Sequence, residues 1–288
     1  MNVCNLCGSN DLKILFIKSS VNLIKCKSCG LVFIDPLPTL ADLKKYYTDK
    51  YYFATDSVTG GYDNYFADKE NLIRTFTKRI SVIENYAKPG KMLDVGCAFG
   101  FSLLAAKKRG WDTSGIELSD FASDIARKQG LNVFTGTIDR TPFQDGYYDC
   151  ITMWDLLEHT IDPKREMLEA NKLMKNGGIL AISTPDVSSF LERITGSHWL
   201  GYQSPRQHLF YFSPKSISHL LKNAGFEVIK IFHIGKFCSL SFVVQRLKHY
   251  NLTLAKPLNF IVKFLGIGGF SVYVNPYDTI GVIAKKIK

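Results

Sequence analysis

The chain has 288 residues, a hydrophobic share of 46% and a formal net charge of +10. This length fits one large domain, or one domain with a small module, and the hydrophobic share is that of an ordinary folded core. The start has no basic segment followed by an apolar run, and the apolar stretch 258–274 is interrupted by polar residues and glycines. We therefore expect neither a secretory signal nor a membrane span, and a cytoplasmic protein.

Two pairs of cysteines open the chain. Two residues separate Cys4 from Cys7 and Cys26 from Cys29, and 18 residues lie between the pairs. A glycine directly after each pair permits the tight turn that tetrahedral zinc–thiolate geometry requires. The sequence predicts a zinc ribbon over 1–38, built on a hairpin and a third strand. Four cysteine ligands leave no open position on the metal, so we expect the zinc to be structural.

Residues 39–90 form a predicted helical and aromatic connector. A short helix capped by Thr39 precedes a segment rich in tyrosine, and a second helix is expected over 64–87. The tyrosine rings can either line a substrate cleft or pack the ribbon against the main domain. In the first case Tyr62 and Tyr65 contact the substrate.

The stretch 92–100 combines the end of an apolar strand with a glycine turn, and a helical pattern starts at Phe101. Such a turn lets the backbone approach a ligand, and the helix start favours a negative group. A dinucleotide fingerprint has glycine where this chain has Ala98, so a smaller zwitterion such as S-adenosylmethionine fits better. Glu117, 23 residues after Asp94, is expected at the end of the next strand, where it can accept hydrogen bonds from two ribose hydroxyls.

The segment 93–100, together with Glu117, resembles the class I S-adenosylmethionine-dependent methyltransferases. Ala98 departs from the glycine usual in that family, which is expected to tighten the pocket without abolishing it. The resemblance implies an α/β fold with a Rossmann-like seven-stranded sheet, in a methyltransferase domain over 91–288. The cofactor-binding residues are then expected to be Asp94, Gly96, Cys97, Gly100, Glu117, Leu118, Thr137, Ile138 and Trp154.

Strands and helices alternate beyond Glu117, which indicates a parallel sheet with helices on both faces and a ligand site beyond the carboxyl ends of the strands. The motifs at 29–38 and 207–213 extend the resemblance over nearly the whole chain. They make it most similar to zinc-ribbon methyltransferases of sugar-nucleotide and surface-polysaccharide pathways, nucleotide-sugar C-methyltransferases among them.

Residues 237–276 are predicted to form an inserted helical hairpin, with Pro257 opening its second helix. From Lys236 to Lys288 there are eight lysines and arginines and one acid. An apolar and basic hairpin fits an anionic membrane or a lipid-linked substrate. A lid or a subunit contact packed on the core is the simpler alternative. Peripheral membrane contact is therefore one alternative for the location, and the oligomeric state stays open.

Methyl transfer from a sulfonium requires an aligned acceptor and removal of a proton from it. A proton acceptor with a pKa near neutral points to histidine, and His159 and His208 fall at the right end of the sheet. His208 is the first choice, because His159 can instead brace the cofactor loop. Arg206 is expected to hold a diphosphate, since its guanidinium matches phosphate oxygens.

These observations predict an S-adenosylmethionine-dependent methyltransferase acting on a small or carrier-linked acceptor, such as a nucleotide sugar or a lipid-linked glycan precursor. One alternative is a quinone or phenol O-methyltransferase. Another is an RNA methyltransferase, which is disfavoured because the basic residues lie in an apolar hairpin rather than among exposed aromatics. A non-enzymatic module that retains the fold is the third. The sequence does not identify the acceptor atom.

Overall fold

The computed structural model of the protein describes residues 3–47 and 68–288. The helices in this part of the chain are α1 (Leu40–Tyr47), α2 (Lys69–Ile83), α3 (Phe101–Lys108), α4 (Asp120–Lys128), α5 (Pro163–Leu173), α6 (Phe190–Thr195), α7 (Pro214–Asn223), α8 (Leu240–Tyr250) and α9 (Leu252–Phe264). The strands are β1 (Leu12–Lys18), β2 (Val21–Cys26), β3 (Val32–Asp35), β4 (Lys91–Val95), β5 (Asp112–Glu117), β6 (Asn132–Thr135), β7 (Tyr148–Trp154), β8 (Met174–Pro185), β9 (Phe210–Tyr211), β10 (Phe226–His233), β11 (Lys236–Ser239), β12 (Ser271–Val274) and β13 (Thr279–Lys286).

The central sheet has seven strands in the order β10–β13–β8–β7–β4–β5–β6. Strand β4 pairs in parallel with β5 and β7, β5 with β6, and β7 with β8. Strand β13 runs antiparallel between β8 and β10. The predicted α/β fold with a seven-stranded sheet is confirmed. The carboxyl ends of β4, β5 and β7 meet at one edge, where open α/β sheets bind their ligands.

Polar caps set the starts of the helices that flank this edge. Ser119 accepts a backbone N–H from the first turn of α4 at 3.3 Å, and Asp162 accepts the N–H of Arg165 at 3.1 Å before α5. Ser213 and Ser216 form a reciprocal capping box on α7. These caps satisfy N–H groups that have no partner within the helix. They therefore fix where the loops around the ligand edge give way to helix.

The N-terminal ribbon continues into the rest of the protein. Strands β1, β2 and β3 pair antiparallel, as the sequence predicts, and β3 pairs on its other side with β9. Val32 faces Tyr211 and Phe33 faces Phe210 across this pairing, and all four residues are buried. One hydrophobic core consequently extends from the ribbon to β7 and β8. The sequence carries no signal for this pairing, because β9 has two residues and lies far from β3 in the chain.

Between β10 and β13 the chain forms an insertion of two helices on a two-stranded base. Strands β11 and β12 pair antiparallel, and α8 and α9 form the predicted hairpin between them. The expectation that Pro257 opens the second helix is wrong, because α9 begins at Leu252 and contains Pro257. Asn251 accepts the N–H of Leu254 at 3.1 Å, so a polar cap sets the start of α9. No helix in residues 3–47 and 68–288 is long and apolar enough to cross a membrane.

Candidate active site

The turn between β4 and α3 lies at the carboxyl edge of the sheet. The backbone N–H groups of Gly96 and Cys97 donate to the carbonyl of Ile116 at 2.8 and 3.1 Å, which ties the turn to β5. Gly96 has a φ of +75°, and a Cβ there would lie 2.8 Å from Leu156 Cδ1, so both conformation and space require glycine. Ala98 adopts a φ of +46°, a left-handed conformation that costs an L-residue about 1–2 kcal/mol. The turn thus forms without the middle glycine, at the expense of local strain.

The carboxylate of Glu117, the last residue of β5, is held by the backbone on both sides. Its Oε2 accepts the N–H of Ala98 and its Oε1 accepts the N–H of Ser119, each at 2.8 Å. Burial raises the pKa of Glu117, and these backbone donors oppose that shift. Each oxygen still has a lone pair, so the oriented carboxylate can accept hydrogen bonds from two neighbouring hydroxyls.

Asp94 and Trp154 stand on the two neighbouring strands. Asp94 is buried, and its Oδ1 accepts the hydroxyl of Thr152 at 2.6 Å. Burial raises the pKa of Asp94 to about 7, with a smaller contribution from the Glu117 carboxylate. The indole N–H of Trp154 donates to Ser102 Oγ at 3.1 Å, which fixes the plane of the ring. Two carboxyl groups and an indole are therefore set at adjacent strand ends.

One cavity of about 620 Å³ opens at this edge. Most of the predicted cofactor-binding residues line it, and so do both candidate catalytic histidines. The lining residues from these two sets are Asp94, Gly96, Cys97, Glu117, Leu118, Thr137, Ile138, Trp154, His159 and His208.

The structure places other predicted site residues elsewhere. Gly100 does not line the cavity. It has a φ of +78° at the start of α3, and a Cβ there would collide with the side chain of Leu131, so the need for glycine comes from packing. Arg206 is exposed and does not line the cavity, and its guanidinium lies 3.4 Å from a carbonyl oxygen of the ribbon, so a diphosphate held by Arg206 would lie outside this cavity. Tyr62 and Tyr65 lie outside the described residues.

His159 and His208 lie side by side in the cavity wall, with ring centroids 4.8 Å apart and planes at 75°. The Nδ1 of His159 bonds to the carbonyl of Gln207, and the Nδ1 of His208 to the carbonyl of Gly201, each at 2.9 Å. Because a carbonyl oxygen can only accept, each Nδ1 carries the proton and each Nε2 has a lone pair. Burial lowers the pKa of both rings, that of His159 to about 3, so both are neutral near pH 7.

Two carboxyl groups adjoin the histidines. Burial, followed by the charge of Asp155, raises the pKa of Glu158 to about 8. Glu158 Oε2 has no hydrogen-bond partner in the described part of the chain. Burial alone would raise the pKa of Asp155, but Arg79 and Ser183 lower it. Arg79 Nη1 lies 3.3 Å from Asp155 Oδ2, and Ser183 Oγ donates to Asp155 Oδ1 at 2.7 Å. This part of the cavity can therefore accept protons and hold cationic or hydroxyl groups.

Sequence reasoning missed three cations that line the same cavity: Arg79 from α2, Lys236 from β11 and Arg246 from α8. The side chain of Arg79 is only 9% exposed, and burial lowers the pKa of Lys236. Arg79 and Arg246 stand in amphipathic helices, whose polar side faces solvent by default, and Lys236 opens a strand of four residues. Since Phe242 and Tyr250 of α8 also line the cavity, the inserted hairpin forms one of its walls, as the lid alternative expects.

The four N-terminal cysteines form a separate candidate metal site in the ribbon. Their sulfur atoms lie within 4.8 Å of one another, and the Cys4–Cys29 and Cys7–Cys26 distances are each 3.6 Å. Four thiolates bound tetrahedrally to zinc at about 2.3 Å are roughly 3.8 Å apart. The donor set and its geometry therefore fit a zinc ion.

The residues around the turn also fit S-adenosylmethionine. Glu117 presents two oriented oxygens suited to a ribose diol, and the absence of a Cβ at Gly96 keeps the space beside Leu156 open. The sheet has one antiparallel strand beside its edge, a glycine turn after β4 and an acid at the end of β5. Together these features define a class I S-adenosylmethionine-dependent methyltransferase fold.

Solved structures share this fold. A possible histamine N-methyltransferase from Thermotoga maritima is similar with a TM-score of 0.52 and 21% identity, over 77% of this chain and 93% of that one. A SAM-dependent methyltransferase from Archaeoglobus fulgidus is similar with a TM-score of 0.53 and 18% identity, over 77% of this chain and 99% of that one. At these identities the likeness concerns the fold alone.

The family described as Methyltransferase domain matches residues 65–231, which is more than half of the chain. The chain belongs to this family. Among its relatives, the ubiquinone biosynthesis O-methyltransferase of Methylococcus capsulatus is 31% identical over 157 residues, which are 50% of this chain and 66% of the relative. That of Azoarcus sp. is 28% identical over 153 residues, 49% of this chain and 66% of the relative. The chain thus spans slightly less than two thirds of the length of these relatives.

Proposed function

We propose that the protein transfers a methyl group from S-adenosylmethionine to a hydroxyl group of a small ring-shaped acceptor of the phenol or quinol class. The observation that carries this proposal is the shared cavity. The cofactor-type carboxylates Asp94 and Glu117 line it together with two imidazoles whose Nε2 lone pairs can accept a hydrogen bond from the acceptor hydroxyl.

The cofactor supplies a methyl group on a positively charged sulfur. On the protein side, Glu117 and the turn at Gly96 orient the nucleoside end, and the neutral imidazole of His208 takes up the proton of the acceptor hydroxyl. His159 is too weak a base for this role, because burial lowers its pKa to about 3. The acceptor oxygen forms the new O–C bond as the S–C bond breaks, and the electron pair of that bond stays on sulfur. Residues of α8 line one wall of the cavity, and such a wall would limit the access of water to the reacting groups.

The relatives named ubiquinone biosynthesis O-methyltransferases support a phenol or quinol acceptor. One observation favours a second candidate, a nucleotide-linked sugar or another phosphorylated glycan precursor. Arg79, Lys236 and Arg246 all line the cavity, and cations of this kind match phosphate oxygens. Nucleic acid remains a disfavoured acceptor, because these cations lie in the cavity rather than on an open basic surface.

A transfer assay with methyl-labelled S-adenosylmethionine tests the proposal against a panel of polyhydroxylated phenols, quinols and nucleotide sugars. We expect label in a phenol or quinol, and a rate at least about 100-fold lower in His208→Ala, because the proton acceptor is lost. His219→Ala is the matched control, since His219 is outside the cavity, on α7, bonded to Asn223 at 3.1 Å. Label in sugars alone would select the second candidate, and no label with any acceptor would contradict both.

We also propose that Cys4, Cys7, Cys26 and Cys29 hold a structural zinc ion. The sulfur geometry supports this, and four thiolate ligands close the coordination sphere. The metal would fix the two turns that carry the cysteines. These turns adjoin the ribbon sheet, in which β3 pairs with β9. Elemental analysis should find one zinc per chain that is lost in Cys26→Ser.

The outer face of α9 supports a third proposal, contact with an anionic lipid surface that presents the acceptor. Phe260 and Phe264 are 70% and 79% exposed, and Lys256 and Lys263 stand exposed on the same helix. The sequence has no acid from 236 to 277, so the charge of this surface complements anionic lipid. Helix α8 of the hairpin thus lines the cavity, whereas the outer face of α9 is apolar and basic.

Sedimentation with phosphatidylcholine vesicles containing phosphatidylglycerol tests this contact. We expect binding that weakens with salt and falls at least about tenfold in Phe260→Ser/Phe264→Ser, since burying one such side chain contributes about 1.5–3 kcal/mol. Ile17→Ser is the control, because Ile17 is also 70% exposed but lies on β1. If the protein does not bind the vesicles and instead forms a dimer through α9, the proposal is overturned and α9 is a subunit contact.

A further inference from the structure

Glu158, His159 and His208 bring three metal-binding side chains to one point of the cavity wall. One donor atom of each lies within 4.8 Å of the donor atoms of the other two. Donors bound to one ion at about 2.1 Å are roughly 3.0–3.4 Å apart, so shifts of under about 1 Å per side chain would place all three on the same ion. The three residues come from two segments, the loop after β7 and the loop before β9.

The two imidazoles are already in the tautomer that a metal ligand needs. Each donates its Nδ1–H to a backbone carbonyl at 2.9 Å, to Gln207 for His159 and to Gly201 for His208. A carbonyl in this position fixes the ring orientation and leaves the Nε2 lone pair as the ligand, which is the arrangement that metal-bound histidines show.

The carboxyl group of Glu158 provides an independent sign of a missing partner. Glu158 is 1% exposed and lines the cavity, and its Oε2 has no hydrogen-bond partner within ordinary distance among residues 3–47 and 68–288. The hydroxyl of Thr184, which lowers the pKa of Glu158, is likewise unpartnered among these residues. The hydroxyl of Tyr211, whose ring centroid is 6.1 Å from that of His208, is buried without a partner within the same residues. Buried polar atoms of this kind are rare, and a bound ion with its water would satisfy them.

We propose that Glu158, His159 and His208 bind a divalent transition-metal ion, separate from the ion of the ribbon. Two imidazoles and one carboxylate form a ligand set for zinc, iron(II) or manganese(II), and three protein ligands leave positions open to other oxygens. The thiolates of the ribbon are a softer set with no open position.

Since the cluster lines the cavity, the open positions can take two adjacent oxygens of the acceptor, as in a catechol-type ring or a vicinal diol. A hydroxyl held by the ion loses its proton more readily, and because the ion would occupy the Nε2 lone pair of His208, that proton would pass to water rather than to the imidazole. The resulting oxyanion would then form the O–C bond. This role rests on the proposed methyl transfer, whereas binding of the ion does not, so the two can fail separately.

Manganese(II) is the probe, because it prefers nitrogen and oxygen ligands and therefore avoids the thiolates of the ribbon. The full chain, with its ribbon metal retained, is titrated with Mn²⁺ while the electron paramagnetic resonance signal of free Mn²⁺ is recorded. We expect one Mn²⁺ bound per chain, zinc competing for the same site, and nitrogen couplings from imidazole in pulsed spectra.

Glu158→Gln and His208→Ala should each weaken Mn²⁺ binding at least about tenfold. His219→Ala on α7 should bind Mn²⁺ as the wild type does, and calorimetry with S-adenosylmethionine verifies that every variant is folded. Failure of the wild type to bind Mn²⁺ or a second Zn²⁺, or equal binding by all variants, would overturn the site. Methyl transfer at full rate after removal of this ion would overturn its role in the reaction but leave the transfer standing.

Discussion

The cavity has two halves that the chain builds in different ways. The cofactor half, around Asp94 and Glu117, comes from two adjacent parallel strands and the turn between them, all within 94–117. The acceptor half combines the loop after β7, the loop before β9, and residues of α2, β11 and α8. A short stretch of sequence therefore encodes the first half, whereas segments that are distant in the chain meet to form the second.

The acceptor half also depends on the ribbon, whereas the hydrogen bonds of Asp94 and Glu117 are made within the central sheet and its turns. The N–H of Ile34 in β3 donates to the carbonyl of Leu209 at 3.0 Å, and the N–H of Leu209 donates to the carbonyl of Glu158 at 2.6 Å. Phe16 of β1 packs edge-on against Tyr202, with ring centroids 5.1 Å apart. The ribbon thus supports the segment 201–209, which carries His208.

The largest effect is expected from breaking the cofactor half at Glu117. Glu117→Ala should weaken S-adenosylmethionine binding at least about 100-fold in calorimetry, because two charge-assisted hydrogen bonds contribute about 1.5–3 kcal/mol each. Asp112→Ala is the matched control, since Asp112 lies at the other end of β5 with a side chain that is 73% exposed. Equal affinity in Glu117→Ala and the wild type would remove Glu117 from the cofactor site.

An intermediate effect is expected from the ribbon, and it should separate the two halves. Cys26→Ser should lose zinc and lower the methyl-transfer rate at least about tenfold, while the dissociation constant for S-adenosylmethionine changes less than about threefold. The loss follows because β3 no longer holds the 201–209 segment in place.

Cys150→Ala is the control for this variant, since it removes a buried thiol of β7 that lies outside the cysteine cluster. Transfer assays and calorimetry are run on both variants. If Cys26→Ser loses both methyl transfer and cofactor binding, the cofactor half and the acceptor half depend on each other. The distinction between them would then be wrong.

The smallest effect is expected at Arg206, and Arg79, a cation that does line the cavity, provides the comparison. Arg206→Ala should change the rate and the acceptor KM less than about twofold, because its guanidinium is exposed and lies outside the cavity. Arg79→Ala should lower the rate markedly, because Arg79 is buried beside Asp155 at 3.3 Å. Steady-state kinetics compare the two, and an equal loss in both variants would place Arg206 at the acceptor after all.

The sequence by itself determined the cofactor half and the cysteine cluster, while the seven-stranded sheet was implied by its resemblance to the class I methyltransferases. It could do so because glycine turns, acids at strand ends and paired cysteines act over a few neighbouring residues, where spacing sets geometry. It also indicated His159 and His208, whose positions follow from where their strand and loop end. It misplaced the start of α9, since the Asn251 cap, not Pro257, sets that boundary.

Only the tertiary structure decided the acceptor half. The pairing of β3 with β9, the burial of Arg79 and Lys236, and the approach of Glu158 to two histidines depend on contacts between segments that no local pattern relates. It also moved Gly100 from the pocket to the packing of α3, and Arg206 from the cavity to the surface. The physical reason is that packing of the whole core fixes which polar side chains are buried, whereas periodicity fixes only which face of an element is polar.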